Sequence, residues 1–238
     1  MKTEQKTAKA LGSKKMNSNT LLLVITVVLF VVMYAAGCVV YASKGFTHAQ
    51  TFLNILNNNA GLVCVACGMT CVMLTGGIDI SVGSLIALDC MLLAWGTSQG
   101  ISATVMCALV IVLGIVFGMV QGFCVGYLNI QPFIVTMAGM FFARGMTAVV
   151  STNQLSITQD TSALFYGWAN AKIQLPAFLG YVNSKGKLQI PYIRVSVVIA
   201  LVVLILIFLI LRYTRFGRSL YAVGGSEQSA AMMGLDVK

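Results

Sequence analysis

Long runs of apolar residues, separated by short polar segments, dominate the pattern of this 238-residue chain. A helix needs about 20 apolar residues to cross a bilayer, whereas barrel strands need about 10 residues with alternating polarity. The runs therefore predict an all-α, polytopic helical membrane protein with about six spans in this chain. The predicted spans cover residues 20–41, 60–75, 82–98, 101–127, 132–150 and 191–211.

Polar segments flank this predicted transmembrane domain of residues 20–211. Residues 1–19 contain five lysines and are predicted to form a cytoplasmic tail, and residues 212–238 form a polar C-terminal segment. A basic tail before an apolar run is also typical of a signal peptide. Here the run continues past Cys38 and further spans follow, so we predict that the first helix is retained.

Composition and charge exclude two broad classes of protein. Hydrophobic residues make up 58% of the sequence and charged residues only 9%, whereas soluble domains carry about 25% charged residues. A soluble domain is excluded, and so is nucleic-acid binding despite the net charge of +9. With the N-terminus in the cytoplasm, the inner segments hold nine Lys and Arg residues and the outer segments four, which follows the positive-inside rule. Arg144 and Arg194, near outer span ends, are expected to reach the lipid headgroups.

The cysteines predict neither a metal site nor a cofactor site. All seven lie in apolar stretches, which argues against a disulfide framework. Cys64, Cys67 and Cys71 have a spacing that would suit metal ligands, but the same spacing places them on one face of a helix. We therefore interpret them as packing residues and expect no metal and no cofactor.

The segment between the second and third spans is the strongest candidate for chemistry. Gly76 and Gly77 end the second helix, and either Asp79 or Ser81 is suited to cap the third. Interrupted helices survive in membranes where they are buried in protein or line a cavity. The residues alone leave two alternatives open, a tight turn or part of a substrate pathway.

Two further polar groups are candidates for the same pathway. Asp89 lies inside the third span, where a carboxylate is costly and marks a functional site by default. The alternative is a protonated or partnered Asp89 that faces a neighbouring helix. Asn57, Asn58 and Asn59 precede the second span and offer amides suited to hydroxyl-rich solutes, or else belong to an interfacial loop.

The C-terminal segment predicts a short helix from Ser226 to Gly234. Ser226 is a favourable N-cap, Glu227 complements the helix dipole, and Gly234 suits the position just after the helix. A two-turn helix is unstable alone, so it needs a surface on which to dock. Ala230 and Ala231 are small enough to fit a groove on that surface. The alternative is a frayed chain end.

Residues 68–84, 131–145 and 214–234 together resemble the permease subunits of bacterial ABC importers for monosaccharides, the ribose/xylose/galactose type. They read GMTCVMLTGGIDISVGS, QPFIVTMAGMFFARG and TRFGRSLYAVGGSEQSAAMMG, and the second and third are most similar to galactofuranose-type permeases. The resemblance implies a subunit of the bacterial plasma membrane that is not itself an enzyme. It would pass a monosaccharide from an extracytoplasmic sugar-binding protein into the cytoplasm, together with a second permease subunit and a separate ABC ATPase subunit.

The resemblance also implies further spans beyond residue 238, so the chain is expected to be a fragment or the product of a truncated gene. In addition, it implies roles for individual residues. An ion- or proton-coupled secondary transporter of a small polar solute is the alternative, but it would need buried carboxylates and an inverted repeat. The candidate pathway residues are Asn57, Asn58, Asn59, Gly76, Gly77, Asp79, Ser81 and Asp89. The candidate ATPase-coupling residues are Gly217, Arg218, Gly224, Gly225, Ser226, Glu227, Ala230, Ala231 and Gly234.

Overall fold

The computed structural model describes residues 18–42, 46–176, 180–182 and 188–237, and the chain divides into two compact units, Met1–Thr51 and Phe52–Lys238. Most of the described residues are helical. In chain order the helices are α1 (Ser18–Val40), α2 (Ala49–Leu74), α3 (Val82–Ser98), α4 (Ala103–Gly126), α5 (Pro132–Val150), α6 (Ala163–Asn170), α7 (Val195–Tyr213), α8 (Arg215–Gly225) and α9 (Glu227–Met232).

Within the described ranges, five helices are long and apolar enough to cross a membrane, namely α1, α2, α4, α5 and α7. Helix α3 is also apolar but has only 17 residues. Each of these six helices overlaps one of the six predicted spans, with different bounds for α2 and α7. The predicted fold class, an all-α polytopic membrane protein, is confirmed.

In the first unit, Phe46 lies against the last turns of α1. A Cβ atom added at Gly37 would lie 3.0 Å from Cε1 of Phe46, so glycine makes room for this ring. The Phe46 ring also packs against Tyr34, with 5.5 Å between the ring centroids.

Helix α2 begins at Ala49 rather than near Ala60, where the apolar run begins. The asparagines therefore lie within the helix, and the alternative of an interfacial loop at these positions is wrong. Asn57 is buried within the helix, and both polar atoms of its side chain form hydrogen bonds to the backbone near residue 193. Its Oδ1 accepts the N–H of Arg194 at 2.8 Å, and its Nδ2 donates to the carbonyl of Tyr192 at 3.3 Å.

The described residues of the polar region before α7 include four short strands: β1 (Lys172–Gln174), β2 (Tyr181–Val182), β3 (Leu188–Gln189) and β4 (Tyr192–Arg194). Strands β1 and β4 are antiparallel, with Ile173 opposite Ile193, and β2 pairs with β3 in the same sense. Strand β4 leads directly into α7, which therefore begins at Val195 rather than near residue 191. The sequence pattern predicted neither these strands nor α6.

A small apolar cluster joins α2 to α7. Ala60 of α2 and Val197 and Ala200 of α7 are buried together. Val63, Cys64 and Ile193 pack against this cluster, so Cys64 is a packing residue, as predicted. Asn57 lies one turn before Ala60, so its bonds to β4 and the cluster fix the same end of α2.

The other long helices pack as a separate group, in which α3 contacts both α4 and α5. Small side chains make these contacts close. Gly96 of α3 faces Met106 of α4, and a Cβ atom at Gly96 would overlap the methionine side chain. The interrupted connection between α2 and α3 forms hydrogen bonds to α4 and α5 of this group.

The chain ends in two short helices, α8 and α9, which pack against each other. The predicted helix is present as α9. Ser226 Oγ accepts the N–H of Ser229 at 3.3 Å, and Gly234 adopts a left-handed φ of 77°. The N–H of Gly234 bonds to the carbonyl of Ala231, and that of Leu235 to the carbonyl of Ala230, which is the Schellman pattern. Helix α8, in contrast, lies in a stretch with no predicted helix.

Candidate functional site

The connection between α2 and α3 begins where α2 stops at Leu74. The N–H of Gly76 bonds to the carbonyl of Met73 and that of Gly77 to the carbonyl of Val72, at 3.0 and 3.2 Å. Gly76 has φ +79°, a left-handed conformation that glycine adopts without strain. Residues 77–80 have no regular secondary structure, so the helix is interrupted, as the two glycines predicted.

Asp79, rather than Ser81, supplies the capping bond at the start of α3. Asp79 Oδ1 accepts the backbone N–H of Ser81 at 2.8 Å and its hydroxyl at 2.6 Å. The Ser81 side chain forms no capping bond of its own. A carboxylate at this position also favours the helix dipole.

Gln121 of α4 holds the same serine from the opposite side. Because the Ser81 hydroxyl donates to Asp79, it is free to accept the amide N–H of Gln121, whose Nε2 lies 3.0 Å away. Ser81 is 1% exposed, so this bond lies inside the protein. A Cβ atom at Gly139 of α5 would overlap Nε2 of Gln121, so glycine leaves the space that the amide occupies.

Helix α5 makes two further hydrogen bonds, one to the connection and one to the first turn of α3. Thr136 Oγ1 lies 3.2 Å from the carbonyl oxygen of Ile78, and Arg144 Nε donates to Ser84 Oγ at 3.2 Å. Thr136 follows the first turn of α5, so the connection lies alongside this helix rather than beyond its end. These bonds involve six side chains in three separate sets, which we together call the interhelical network: Asp79, Ser81, Ser84, Gln121, Thr136 and Arg144.

The network leaves polar groups available for further bonds. Asp79 Oδ2 and the two terminal nitrogens of Arg144 have no hydrogen-bond partner among the described residues. A carboxylate oxygen and a guanidinium are acceptor and donor groups of the kind that bind sugar hydroxyls. Arg144 Nε bonds to Ser84 within the helical group, and the expectation that Arg144 reaches the headgroups stays a prediction.

The predicted pathway residues fall into separate places. Gly76, Gly77, Asp79 and Ser81 belong to the interrupted connection. Asn57 lies at the other end of α2, about 26 Å from Leu74 along the helix axis. Its neighbour Asn58 is exposed, and Asn59 donates from Nδ2 to the carbonyl of Ile55 in its own helix at 2.7 Å.

Asp89 belongs to neither group. Its Oδ1 is buried and has no hydrogen-bond partner within the described part of the chain. It lies more than one turn beyond Ser84 on α3. A buried carboxylate oxygen without a partner is costly in a helix of this kind, so Asp89 stays a candidate for a contact with a further group.

The C-terminal helices touch the end of α2. A Cβ atom at Gly224 would overlap the carbonyl oxygen of Leu74, whereas one at the adjacent Gly225 would meet nothing within 4 Å. Gly217 makes a similar close contact with the backbone of Leu211 in α7. Two of the predicted coupling glycines therefore make close helix contacts, and Gly225 does not.

The two alanines of α9 lie in different environments. Ala230 is 0% exposed and Ala231 is exposed. Ala230 is thus enclosed by this chain itself, and the expectation that it faces a partner's groove is corrected. The exposed apolar surface of α9 is formed instead by Ala231, Met232 and Met233.

Sequence reasoning did not find Ser84, Gln121 and Thr136. Gln121 is the only Asn, Gln or charged residue in α4, and Arg144 is the only charged residue in α5. An isolated strongly polar residue in an apolar helix is itself a signal of a buried contact. Its partner could not be read from the sequence, because Ser81 and Gln121 are 40 positions apart.

No group of three or more His, Cys, Asp and Glu residues that could hold a metal ion occurs among the described residues. The seven cysteines are free thiols. Among the described residues, the interhelical network is formed by hydrogen bonds between side chains and between side chains and the backbone.

With five long apolar helices, a shorter sixth and an interrupted connection held between helices, the chain is a multi-pass membrane protein. Residues 51–238 match the family described as the branched-chain amino acid transport system / permease component. The chain belongs to this permease family. No solved structure matches it significantly.

Curated relatives include permeases named for three different sugars. The fructose import permease protein FruG of Bifidobacterium longum is 33% identical over 219 residues, which are 92% of this chain and 60% of FruG. The ribose import permease protein RbsC of Bacillus subtilis is 35% identical over 195 residues, 82% of this chain and 55% of RbsC. The galactofuranose transporter permease protein YtfT of Escherichia coli is 30% identical over 186 residues, 78% of this chain and 49% of YtfT.

The chain thus spans about half to three-fifths of the length of these relatives. The resemblance to permeases of sugar importers, stated from three sequence segments, is confirmed at the level of the family.

Proposed function

We propose that this chain is the membrane permease subunit of an ATP-driven ABC importer, which passes a monosaccharide into the cytoplasm. The observation that carries the proposal is the similarity to the fructose, ribose and galactofuranose permeases, each at 30% identity or above. The interhelical network supports it, because it places an acceptor and a guanidinium beside an interrupted helix, where transporters bind polar solutes.

The transporter would contain three further components. An extracytoplasmic sugar-binding protein delivers the substrate, a second permease subunit completes the pathway, and a separate ABC ATPase subunit hydrolyses ATP. The sequence contains no Gly-x4-Gly-Lys-Ser/Thr phosphate loop, so the chain itself is assigned no enzymatic activity. We place it in the bacterial plasma membrane with its N-terminus and residues 212–238 in the cytoplasm, as the Lys and Arg distribution favours.

The substrate pathway would pass the interhelical network. Asp79 and Arg144 have polar atoms that bind no described residue, and these atoms are suited to the hydroxyl groups of a sugar. Gly76 and Gly77 allow the connection to move, since glycine has the widest choice of backbone conformations. Asn58 and Asn59 would lie at the outer entrance and Asn57 would fix the helix that carries them. Asp89 would meet the substrate or a further span.

Helices α8 and α9 would couple the pathway to the ATPase. Met232 and Met233 are 82% and 69% exposed and form a flexible apolar surface suited to a partner groove. On the other side, Gly224 contacts Leu74, two residues before Gly76. A displacement of α8 would therefore act on the interrupted connection directly. The remaining predicted coupling residues, Arg218, Ser226, Glu227 and Gly234, shape or flank these two helices.

Uptake of a panel of labelled sugars tests the proposal. Cells lacking this chain should lose uptake of one monosaccharide, and expression of the permease that contains it should restore uptake. Fructose, ribose and galactofuranose are the first sugars to compare. Unchanged uptake of every monosaccharide, with loss of uptake of an amino acid, would assign the permease to another substrate class.

A further inference from the structure

A cavity of about 370 Å³ lies between the end of α7 and the first two turns of α8. It is lined by Phe208, Leu211, Arg212, Arg218 and Tyr221, which we call the arginine groove. The Arg212 guanidinium lies 5.9 Å from the Phe208 ring centroid and 5.7 Å from that of Tyr213. These cation–π contacts hold the side chain over the apolar part of the groove.

No acidic side chain among the described residues pairs with the two arginines of the arginine groove. No Asp or Glu occurs from residue 208 to residue 226. Arg218 Nη1 makes one long bond, 3.4 Å, to the carbonyl of Tyr213. Apart from this bond, the guanidinium nitrogens of Arg212 and Arg218 have neither a hydrogen-bond partner nor an ion-pair partner among the described residues. Two guanidiniums that share one groove favour an anion, and their geometry suits a phosphate.

The position of the groove indicates where the anion comes from. Helix α7 is the most apolar candidate span, and Arg212 lies in its last turn. Phe208 lies one turn earlier, inside the span, so the groove combines an apolar wall with a charged rim at the membrane boundary. Phe216, Leu220 and Val223 on α8 recur at helical spacing and give this helix an apolar face next to the same boundary.

We propose that the arginine groove binds the phosphate of an anionic phospholipid headgroup. The two guanidiniums would bind the phosphate, while Phe208 and Tyr221 would contact the glycerol and the first methylenes of the acyl chains. Basic pockets at the end of transmembrane helices bind anionic headgroups in this way. Because α8 also contacts Leu74 through Gly224, a bound lipid would stabilise the position of the helix that we assign to coupling. Lipid binding itself does not depend on that assignment.

Retention of lipid by the purified transporter tests this proposal. The complete transporter is reconstituted in nanodiscs of phosphatidylcholine, with or without phosphatidylglycerol, and then examined by native mass spectrometry. The wild type should retain phosphatidylglycerol in preference to phosphatidylcholine. The variants Arg212→Gln and Arg218→Gln should each reduce this retention about fivefold, the effect of one arginine near an anionic headgroup. Arg215→Gln is the matched control, because Arg215 lies on α8 with Arg218 but does not line the groove.

Three outcomes would overturn the proposal. The first is equal retention of phosphatidylglycerol by the wild type and the Arg212→Gln, Arg218→Gln double variant. The second is binding of added inorganic phosphate without retained lipid, which would assign the groove to a free anion. The third is normal lipid retention together with loss of the ATPase from the purified double variant, which would assign the arginines to a carboxylate of that partner. Membrane abundance of each variant confirms that it folds.

Discussion

Gly224 of α8 lies with its backbone against the carbonyl oxygen of Leu74, the last residue of α2. The contact joins the C-terminal helices to the point at which the second helix is interrupted. Only glycine fits there, because any Cβ atom would overlap a backbone atom that cannot move independently of its helix. The contact therefore gives the proposed coupling segment a direct route to Gly76 and the interhelical network.

Replacing Gly224 by Ala should reduce sugar uptake strongly, because the added methyl group displaces α8 from the end of α2. Overpacking of this kind costs about 1–3 kcal/mol. Gly225→Ala is the matched control, since the neighbouring position has open space. Uptake is measured beside membrane abundance and co-purification of the ATPase. Equal uptake by the two variants, at equal abundance, would show that the contact is not needed for coupling.

The bond between Ser81 and Gln121 should contribute to the stability of the helical group. A double-mutant cycle with Ser81→Ala and Gln121→Leu should give a coupling free energy of about 0.6 kcal/mol, the average for hydrogen bonds between membrane helices, and at most about 1.7 kcal/mol. The measurement is unfolding of the purified protein in mild detergent. Met119→Leu, an exposed position on the same helix, serves as a control. Additive effects of the two substitutions would mean that the side chains do not interact.

The parts of the structure that could be predicted from the sequence depend on local bonds. Helix α9 has its cap at Ser226, its acid at Glu227 and its left-handed glycine at Gly234, all within nine consecutive residues. The interrupted helix at Gly76 could be predicted for the same reason. Each of these features is determined by neighbours in the chain, so a single sequence contains the information.

The parts that could not be predicted depend on distant contacts or on weak patterns. The bonds of Gln121 to Ser81 and of Arg144 to Ser84 join separate helices. The burial of Ala230 depends on how α9 packs within the chain, which its own sequence does not specify. Helix α8 has two arginines and one glycine in its first four residues and two glycines at its end. This composition is typical of a loop, and the contacts of α8 with α7 and α2 stabilise the helix.

The membrane orientation is tested by labelling single cysteines from outside intact cells, in a background without the native cysteines. Ser156→Cys should be labelled, because residues 151–190 are predicted to be extracytoplasmic. Ser229→Cys on α9 should be labelled only after the membrane is permeabilised. Both positions are exposed, so burial does not explain a difference between them. Labelling of Ser229→Cys in intact cells would contradict the proposed topology.

The source of energy for uptake tests the central proposal most directly. The complete permease is reconstituted in proteoliposomes with its ATPase and sugar-binding protein, and uptake of the labelled monosaccharide is measured with ATP or with an imposed proton gradient. We predict that uptake needs ATP, the ATPase and the binding protein, and that it continues when a protonophore collapses the gradient. Uptake that proceeds without the ATPase and stops with the protonophore would contradict the proposal and identify a proton-coupled secondary transporter.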